Sequence, residues 1–219
     1  MISCKIGEKM LAERIDERIY RILIPFEELT TTVYLLRYEE GAALIDSATY
    51  PSDIDGCVIP AIEELGIKKD DVKWLLLTHT HGDHAGGLKR LSELFPNAKI
   101  GFMTALDMPQ FYSLHDGDIL FGGLKVVHLP GHTTDSIGYL DTKTKTLLSG
   151  DCLQLLGVGK YRGGVRYPEL YLESIGRLEK MDIERIVAAH EYDPLGSVAE
   201  GSAAVLHYLR TCKETCPRK

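Results

Sequence analysis

The sequence predicts an α/β fold, because short apolar runs typical of strands alternate along the chain with amphipathic segments of helical spacing. The chain has 219 residues, 44% of them hydrophobic, which is enough to bury a sizeable core. No low-complexity stretch or long Pro/Gly/Ser linker interrupts the sequence. We therefore predict one domain over residues 1–219.

The first part of the chain favours antiparallel strands followed by a helix. Three segments have the composition of strands, namely residues 18–25, 32–38 and 42–46. Glu39, Glu40 and Gly41 form a predicted hairpin turn between the last two. Residues 54–65 carry apolar side chains at helical spacing, and Pro60 within them predicts a kink or a late start.

Three later segments have the apolar spacing of amphipathic helices. The first follows His84 and stops at Pro96, and the second covers residues 168–181. The last is predicted to begin at Ser197, because Ser197 and Glu200 form a capping-box pattern.

Composition excludes several classes of protein. There are 25 basic and 32 acidic residues, and the resulting net charge of -7 has the wrong sign for binding nucleic acid through its phosphates. No apolar run approaches the ~20 residues of a membrane span, and residues 1–11 lack the apolar stretch of a signal peptide. We expect a cytoplasmic protein with a small-molecule substrate and no nucleic-acid or membrane partner, and a homodimer is left open. The five cysteines are predicted to be mostly free thiols.

Four short apolar runs each lead directly to a residue that can bind a metal ion. The residues that follow these runs are His79, His132, Asp151 and His190. If the runs are buried strands, the residues after them emerge at strand ends, where α/β sheets commonly place their sites. We therefore expect side chains that are distant in sequence to converge on one edge.

The heptapeptide THTHGDH has the ligand density of a metal site. His79 and His81 are two residues apart, so in an extended chain they point the same way and can share one ion. Gly82 permits a tight turn, after which the adjacent Asp83 and His84 can bind a second ion. Five of the eight histidines belong to the proposed set, which favours metal ligands over structural histidines.

These motifs resemble the metallo-β-lactamase superfamily in its broad, mostly non-lactamase sense. The matching motifs are H-x-H-x-D-H from His79 to His84, P-G-H-T around His132, the Gly-Asp pair that ends in Asp151, and the late His190. The resemblance covers nearly the whole chain. It implies a four-layer αββα sandwich of two mixed β-sheets flanked by helices.

The resemblance also implies a ligand set for two adjacent divalent ions. One ion would be held by His79, His81 and His132, the other by Asp83, His84 and His190, with Asp151 bridging the pair. We expect zinc first, and iron, manganese or nickel suit the same nitrogen and oxygen ligands. A bridging Asp151 argues against a true β-lactamase, since those enzymes as a rule have no such bridge.

The implied chemistry is hydrolysis. Two divalent ions ~3.5 to 4 Å apart can share a water and lower its pKa until hydroxide exists at neutral pH. We predict a dinuclear metal-dependent hydrolase whose metal-bridging hydroxide attacks a small ester, thioester or lactone, as in glyoxalase II-like and lactonase-like relatives. Asp83 is the predicted catalytic residue, because its carboxylate can orient the hydroxide. A phosphodiesterase is one alternative, and a mononuclear-iron sulfur (persulfide) dioxygenase is another.

Ligand histidines need acceptors for their second nitrogens, and Asp46, Thr78 and Thr133 are candidates. His128 and His207 are predicted to be structural, because neither is expected at a strand end.

A glycine-rich loop at residues 155–167 begins beside Asp151. In it, Tyr161 offers a stacking surface, while Arg162 and Arg166 can bind a carboxylate or phosphate, so all three are predicted substrate contacts. The segment 102–116 is rich in methionine and aromatic residues and is predicted to pack, with a role in roofing the pocket as the alternative.

Replacing Arg162 and Arg166 together with Ala should raise the Michaelis constant for an anionic substrate, because two charge-assisted hydrogen bonds would be lost. Steady-state kinetics of the variant and the wild type measure this effect. Unchanged kinetics would show that the loop is a solvated surface segment.

Overall fold

Two mixed β-sheets, one in each of two compact units, form the framework of this protein in a computed structural model. The units are Met1–Ser113 and Leu114–Lys219. The structure describes residues 11–26, 29–154, 164–191 and 195–217. Strands and helices alternate as predicted, and the single-domain prediction stays a prediction.

The first unit holds a seven-stranded sheet whose strands keep their order along the chain. The strands are β1 (Glu13–Arg14), β2 (Ile19–Phe26), β3 (Leu29–Tyr38), β4 (Gly41–Ile45), β5 (Val72–Leu76), β6 (Lys99–Phe102) and β7 (Phe111–Ser113). β1 to β4 pair antiparallel, which confirms the predicted start of the chain, and β4 to β7 pair parallel. The ends of β4 and β5 therefore lie side by side.

Short helices connect these strands. They are α1 (Pro51–Asp53), α2 (Ile59–Glu64), α3 (Gly82–Ala85) and α4 (Leu88–Leu94), with a 3-10 turn at Lys69–Asp71. The helix predicted over residues 54–65 is interrupted, because Ile54–Val58 is wound as a π-helix. Pro60 has no N–H to donate to the carbonyl of Gly56, so the regular α-helical ladder fails at this point.

The second unit holds a five-stranded sheet in the order β12-β11-β10-β9-β8. The strands are β8 (Leu124–His128), β9 (Ile137–Asp141), β10 (Thr146–Gly150), β11 (Arg185–Ala188) and β12 (Val198–Glu200). β8 and β10 both pair antiparallel with β9, and β10 pairs parallel with β11. β8, β10 and β11 therefore run in one direction and end at the same edge.

Helices α5 (Pro168–Leu178) and α6 (Ser202–Thr215) pack on this sheet through a buried apolar cluster that includes Tyr171 and Tyr208. The prediction that the last helix begins at Ser197 was wrong. Val198–Glu200 pairs with β11 instead, and strand hydrogen bonds replace the capping box. Across the described residues, no helix combines the length and the apolar character that crossing a bilayer requires.

Among the described residues, three cysteines keep the thiols that the sequence predicted and one does not. Cys152, Cys212 and Cys216 carry buried thiols, whereas Cys57 is disulfide-bonded. Burial raises the pKa of Cys212 to about 12, so this thiol stays protonated at neutral pH.

Gly86 ends α3 where the chain passes close to residue 49. A Cβ at Gly86 would lie 2.0 Å from the carbonyl oxygen of Thr49, so one backbone segment must move to accept it. We expect Gly86→Ala to lower the free energy of unfolding by about 1–3 kcal/mol, as measured by urea denaturation.

The control for this substitution is Gly176→Ala within α5, where an added Cβ meets no described residue within 4 Å apart from the neighbouring backbone of its own helix. Alanine favours a helix over glycine, so this variant should be as stable as the wild type or slightly more stable. Similar losses of stability in the two variants would disprove the steric explanation.

Candidate metal centre

In the first unit, four predicted ligands lie together where β5 ends and α3 begins. They are His79, His81, Asp83 and His84. The ring centroid of His79 is 4.7 Å from that of His81 and 4.2 Å from that of His84. His79 and His84 are buried, while His81 and Asp83 are half-buried. The spacing of the heptapeptide therefore produces a cluster that is open to solvent on one side.

The buried carboxylate of Asp46 organises this cluster. Asp46 follows β4, and its oxygens accept hydrogen bonds from the Thr78 amide at 2.7 Å and the Thr78 hydroxyl at 2.8 Å. Its Oδ2 also lies 2.8 Å from Nδ1 of His84. With Nδ1 engaged, His84 presents Nε2 to a metal, and that atom lies 3.3 Å from Oδ2 of Asp83. Asp46 thus has the orienting contact expected from the sequence.

Asp46 adopts this position in an unusual backbone conformation. Its φ is +65°, in the left-handed region that residues other than glycine seldom occupy. The cost is of order 1–3 kcal/mol, and it persists only where neighbouring contacts enforce it. The amide of Asp46 donates to the Leu76 carbonyl at 2.8 Å, which ties the residue to the end of β5.

Two hydroxyls that the sequence did not reveal fix the backbone of the cluster. Thr31 donates to the carbonyl of Asp83 at 3.2 Å, and Ser47 donates to the carbonyl of His84 at 2.9 Å. Both contacts join residues far apart in sequence, so no local pattern predicts them. Ser47 directly follows Asp46, and this proximity was the one available signal.

In the second unit, three predicted ligands emerge at the edge where β8, β10 and β11 end. One carboxylate oxygen of Asp151 lies 3.6 Å from Nε2 of His132, and the other lies 3.2 Å from Nε2 of His190. All three side chains are buried or nearly so. Each oxygen of Asp151 therefore faces a different histidine, which is one arrangement that a bridging carboxylate can adopt.

The ring of His132 is held from its far side. Its Nδ1 donates to the carbonyl of Gly164 at 2.6 Å, so Nε2 is the nitrogen directed to Asp151. Thr133, a predicted partner for a ligand, instead bonds to Asp135 and Ser136 within its own turn. Gln154, which the sequence analysis did not single out, donates to Oδ2 of Asp151 at 3.2 Å. A polar residue inside the apolar run after Asp151 was its only signal.

The donor atoms fit a divalent metal ion. Two ligand atoms about 2.0–2.1 Å from an ion at the tetrahedral angle lie about 3.3–3.4 Å apart, and the nitrogen–oxygen distances above run from 3.2 to 3.6 Å. All seven predicted ligands are among the described His and Asp side chains that could hold an ion. Mixed nitrogen and oxygen donors suit zinc, iron or manganese.

Two buried phenols lie beneath the ligands of the second unit. Burial raises the pKa of Tyr171 and of Tyr208 well above the usual value, so both keep their protons. The negative charges of Glu191 and Asp151 add to the effect at Tyr208. These phenols can donate hydrogen bonds at any physiological pH.

The remaining predicted site residues have mixed outcomes. Tyr161 and Arg162 lie outside the described residues, and Arg166 is exposed. The segment 102–116 contributes β7 to the first sheet, and the roofing role stays a prediction.

The prediction that His128 avoids a strand end was wrong, since His128 is the last residue of β8. Its Nε2 nevertheless bonds to the carbonyl of Thr134 at 2.8 Å, which is a structural contact.

Comparison with known families gives a match over most of the chain. The family model described as "Metallo-beta-lactamase superfamily" matches residues 27–190, a range that includes all seven predicted ligands. A hydroxyacylglutathione hydrolase of Francisella tularensis subsp. holarctica is 31% identical over 165 residues, which are 73% of this chain and 62% of that protein. This chain thus spans less than two thirds of the length of that relative.

Two solved structures have a similar fold. Rubredoxin oxygen:oxidoreductase from Desulfovibrio gigas has a TM-score of 0.73 at 16% identity, covering 93% of this chain and 61% of its own. A metallo-β-lactamase family protein of Thermus thermophilus has a TM-score of 0.70 at 21% identity, covering 92% and 80%. At these identities the likeness concerns the fold alone, and it confirms the predicted class of two mixed sheets flanked by helices.

We expect Asp46→Asn to weaken zinc binding about 10–100-fold, because His84 loses the carboxylate that orients its ring. Asn tolerates a positive φ, so the backbone need not rearrange. Competition with a chromophoric chelator measures the affinity.

Ser47→Ala is the companion variant. It removes the hydroxyl contact but keeps the Ser47 amide, which donates to the same carbonyl at 2.6 Å, so its effect should be smaller. Wild-type affinity in Asp46→Asn would refute the orienting role.

Proposed function

This chain belongs to the metallo-β-lactamase superfamily, and we propose that it is a metal-dependent hydrolase with a dinuclear centre. The observation that carries the proposal is the carboxylate of Asp151, whose two oxygens face His132 and His190 separately. A carboxylate placed between two nitrogen donors suits two ions better than one. The dense ligand cluster of the first unit supports the same conclusion.

In the proposed centre, three residues would hold each ion, and Asp151 could serve both. The ligands are His79, His81 and His132 for one ion, and Asp83, His84 and His190 for the other. Zinc is the proposed metal, because its preference for nitrogen and oxygen ligands matches the set. When bound, the two ions would lower the pKa of a shared water and polarise the carbonyl oxygen of the substrate.

The residues of this chain would orient the reactants. Asp83 is half-buried beside His84, so its carboxylate can accept a hydrogen bond from the attacking water and direct a lone pair towards the substrate. Asp46 keeps the ring of His84 in place during this step. Cys152 is not assigned as a nucleophile, because its thiol is buried in the core of the second unit.

We propose an acyl substrate, with a small thioester first and an ester or lactone next. The relative named hydroxyacylglutathione hydrolase supports this order, because its name describes cleavage of an acyl derivative of a thiol. The net charge of -7 argues against a nucleic-acid substrate. We also propose that the partner is a small molecule.

The test is an activity screen of the zinc-loaded protein on thioesters, lactones, phosphodiesters and β-lactams. Thioesters should be cleaved fastest, chelation should abolish cleavage, and added zinc should restore it. Metal analysis should find two ions per chain.

His81→Ala should lose most activity, whereas His207→Ala should keep it, because His207 is exposed on α6. A single iron with persulfide-dependent oxygen uptake, or full activity after demetallation, would overturn the proposal.

A further inference from the structure

Gln154 is a buried polar residue whose side chain lies against two predicted ligands, Asp151 and His132, and against Gly164. It lies three residues after Asp151 and is 5% exposed. Its Nε2 donates to Oδ2 of Asp151 at 3.2 Å and lies 3.3 Å from Nδ1 of His132. Since Nδ1 of His132 already donates to Gly164, the second distance is a packing contact and the first is the hydrogen bond.

The orientation of this amide follows from charge. An amide oxygen facing the carboxylate of Asp151 would be repelled, so the nitrogen must face it. The oxygen Oε1 then lies against Gly164, where an added Cβ would be 2.1 Å away. A side chain at position 164 would therefore require the amide of Gln154 to shift.

Within the described part of the chain, the side chain of Gln154 forms its hydrogen bond through Nε2 and none through Oε1. Among the described residues, no donor reaches its buried Oε1. A buried acceptor without a donor is unfavourable for folding, so an apolar side chain would fit the same space at lower cost. The hydrogen bond from Nε2 to Oδ2 of Asp151, by contrast, requires a donor at this position.

The backbone of Gln154 is fixed independently of its side chain. The hydroxyl of Tyr171, on α5, donates to the backbone carbonyl of Gln154. The backbone N–H of Gln154 donates back to that hydroxyl at 3.0 Å. Tyr171 is fully buried and packs against Gly131, beside His132. One helix thus anchors both Gln154 and the segment that carries His132.

We propose that Gln154 is a positioning residue that holds the Asp151 carboxylate with one oxygen towards His132 and the other towards His190. The proposal rests on the dinuclear site of the proposed function. The hydrogen bond falls on Oδ2, the oxygen nearest His132. Loss of that bond should therefore weaken binding of the ion held by His132 more than binding of the ion held by His190.

The experiment compares the wild type with Gln154→Met, which keeps the length of the side chain and removes its hydrogen bonds. Zinc titration against a chromophoric chelator should show about 10–100-fold weaker binding of one ion and a smaller change for the other. The visible spectrum of the cobalt-substituted protein should change as well. The unfolding midpoint of the metal-free variant should equal or exceed that of the wild type, because Met replaces a buried amide with an apolar side chain of similar length.

Thr146→Val is the matched control, since Thr146 is a buried polar residue of β10 at the end away from Asp151. It should lower stability and leave metal affinity unchanged. Gly164→Ala is a second variant, whose added Cβ should displace the amide and reproduce the loss of affinity. In a Gln154→Ala background, Gly164→Ala should cause little further loss.

Unchanged zinc affinity and cobalt spectrum in Gln154→Met would overturn the role of Gln154. So would a loss of affinity that only parallels a loss of metal-free stability, as a scaffold residue would give. If Gln154→Met does not fold, the same measurements on Gly164→Ala decide the question. A wild type that binds no metal would instead refute the proposed function, so the two failures are distinguishable.

Discussion

The interaction on which the first unit's site depends is the buried hydrogen-bonded contact between Asp46 and His84. A carboxylate withdrawn from water is unfavourable unless its oxygens accept hydrogen bonds, and Asp46 obtains them from both polar groups of Thr78 and from His84. The same contacts hold Asp46 at a positive φ and fix which nitrogen of His84 faces outward. Backbone strain and ligand orientation therefore have a common cause.

In the second unit, the common direction of three strands brings the predicted ligands together. Because β8, β10 and β11 run the same way, the segments that follow them reach one edge. His132, Asp151 and His190 meet there although the first and the last are 58 positions apart in the sequence. The sheet thus gathers the ligands, and local hydrogen bonds from Gly164 and Gln154 then set their orientation.

Both units contain local features beside their ligands that are unfavourable for the free energy of folding. Asp46 is conformationally strained, and Gln154 buries an acceptor that no described residue satisfies. Such features cluster at functional sites, because geometry suited to binding differs from geometry suited to folding alone. The remainder of each core is conventional, with fully buried strands such as β10 and apolar helix faces packed on them.

Local sequence patterns were enough to predict the α/β class, the strands that lead to ligands and the ligand spacing of the heptapeptide. These features are local, since hydrophobic periodicity and short motifs depend only on neighbouring residues. The start of the last helix, in contrast, depends on tertiary contacts, because pairing of residues 198–200 with β11 prevails over the capping pattern at Ser197.

Tertiary structure also decided the orienting contacts of Thr31, Ser47, Gly164 and Gln154. Most of these contacts join atoms tens of residues apart, and that of Gln154 depends on how its side chain packs against Gly164. No local sequence pattern predicts such contacts, because they depend on how strands and helices pack.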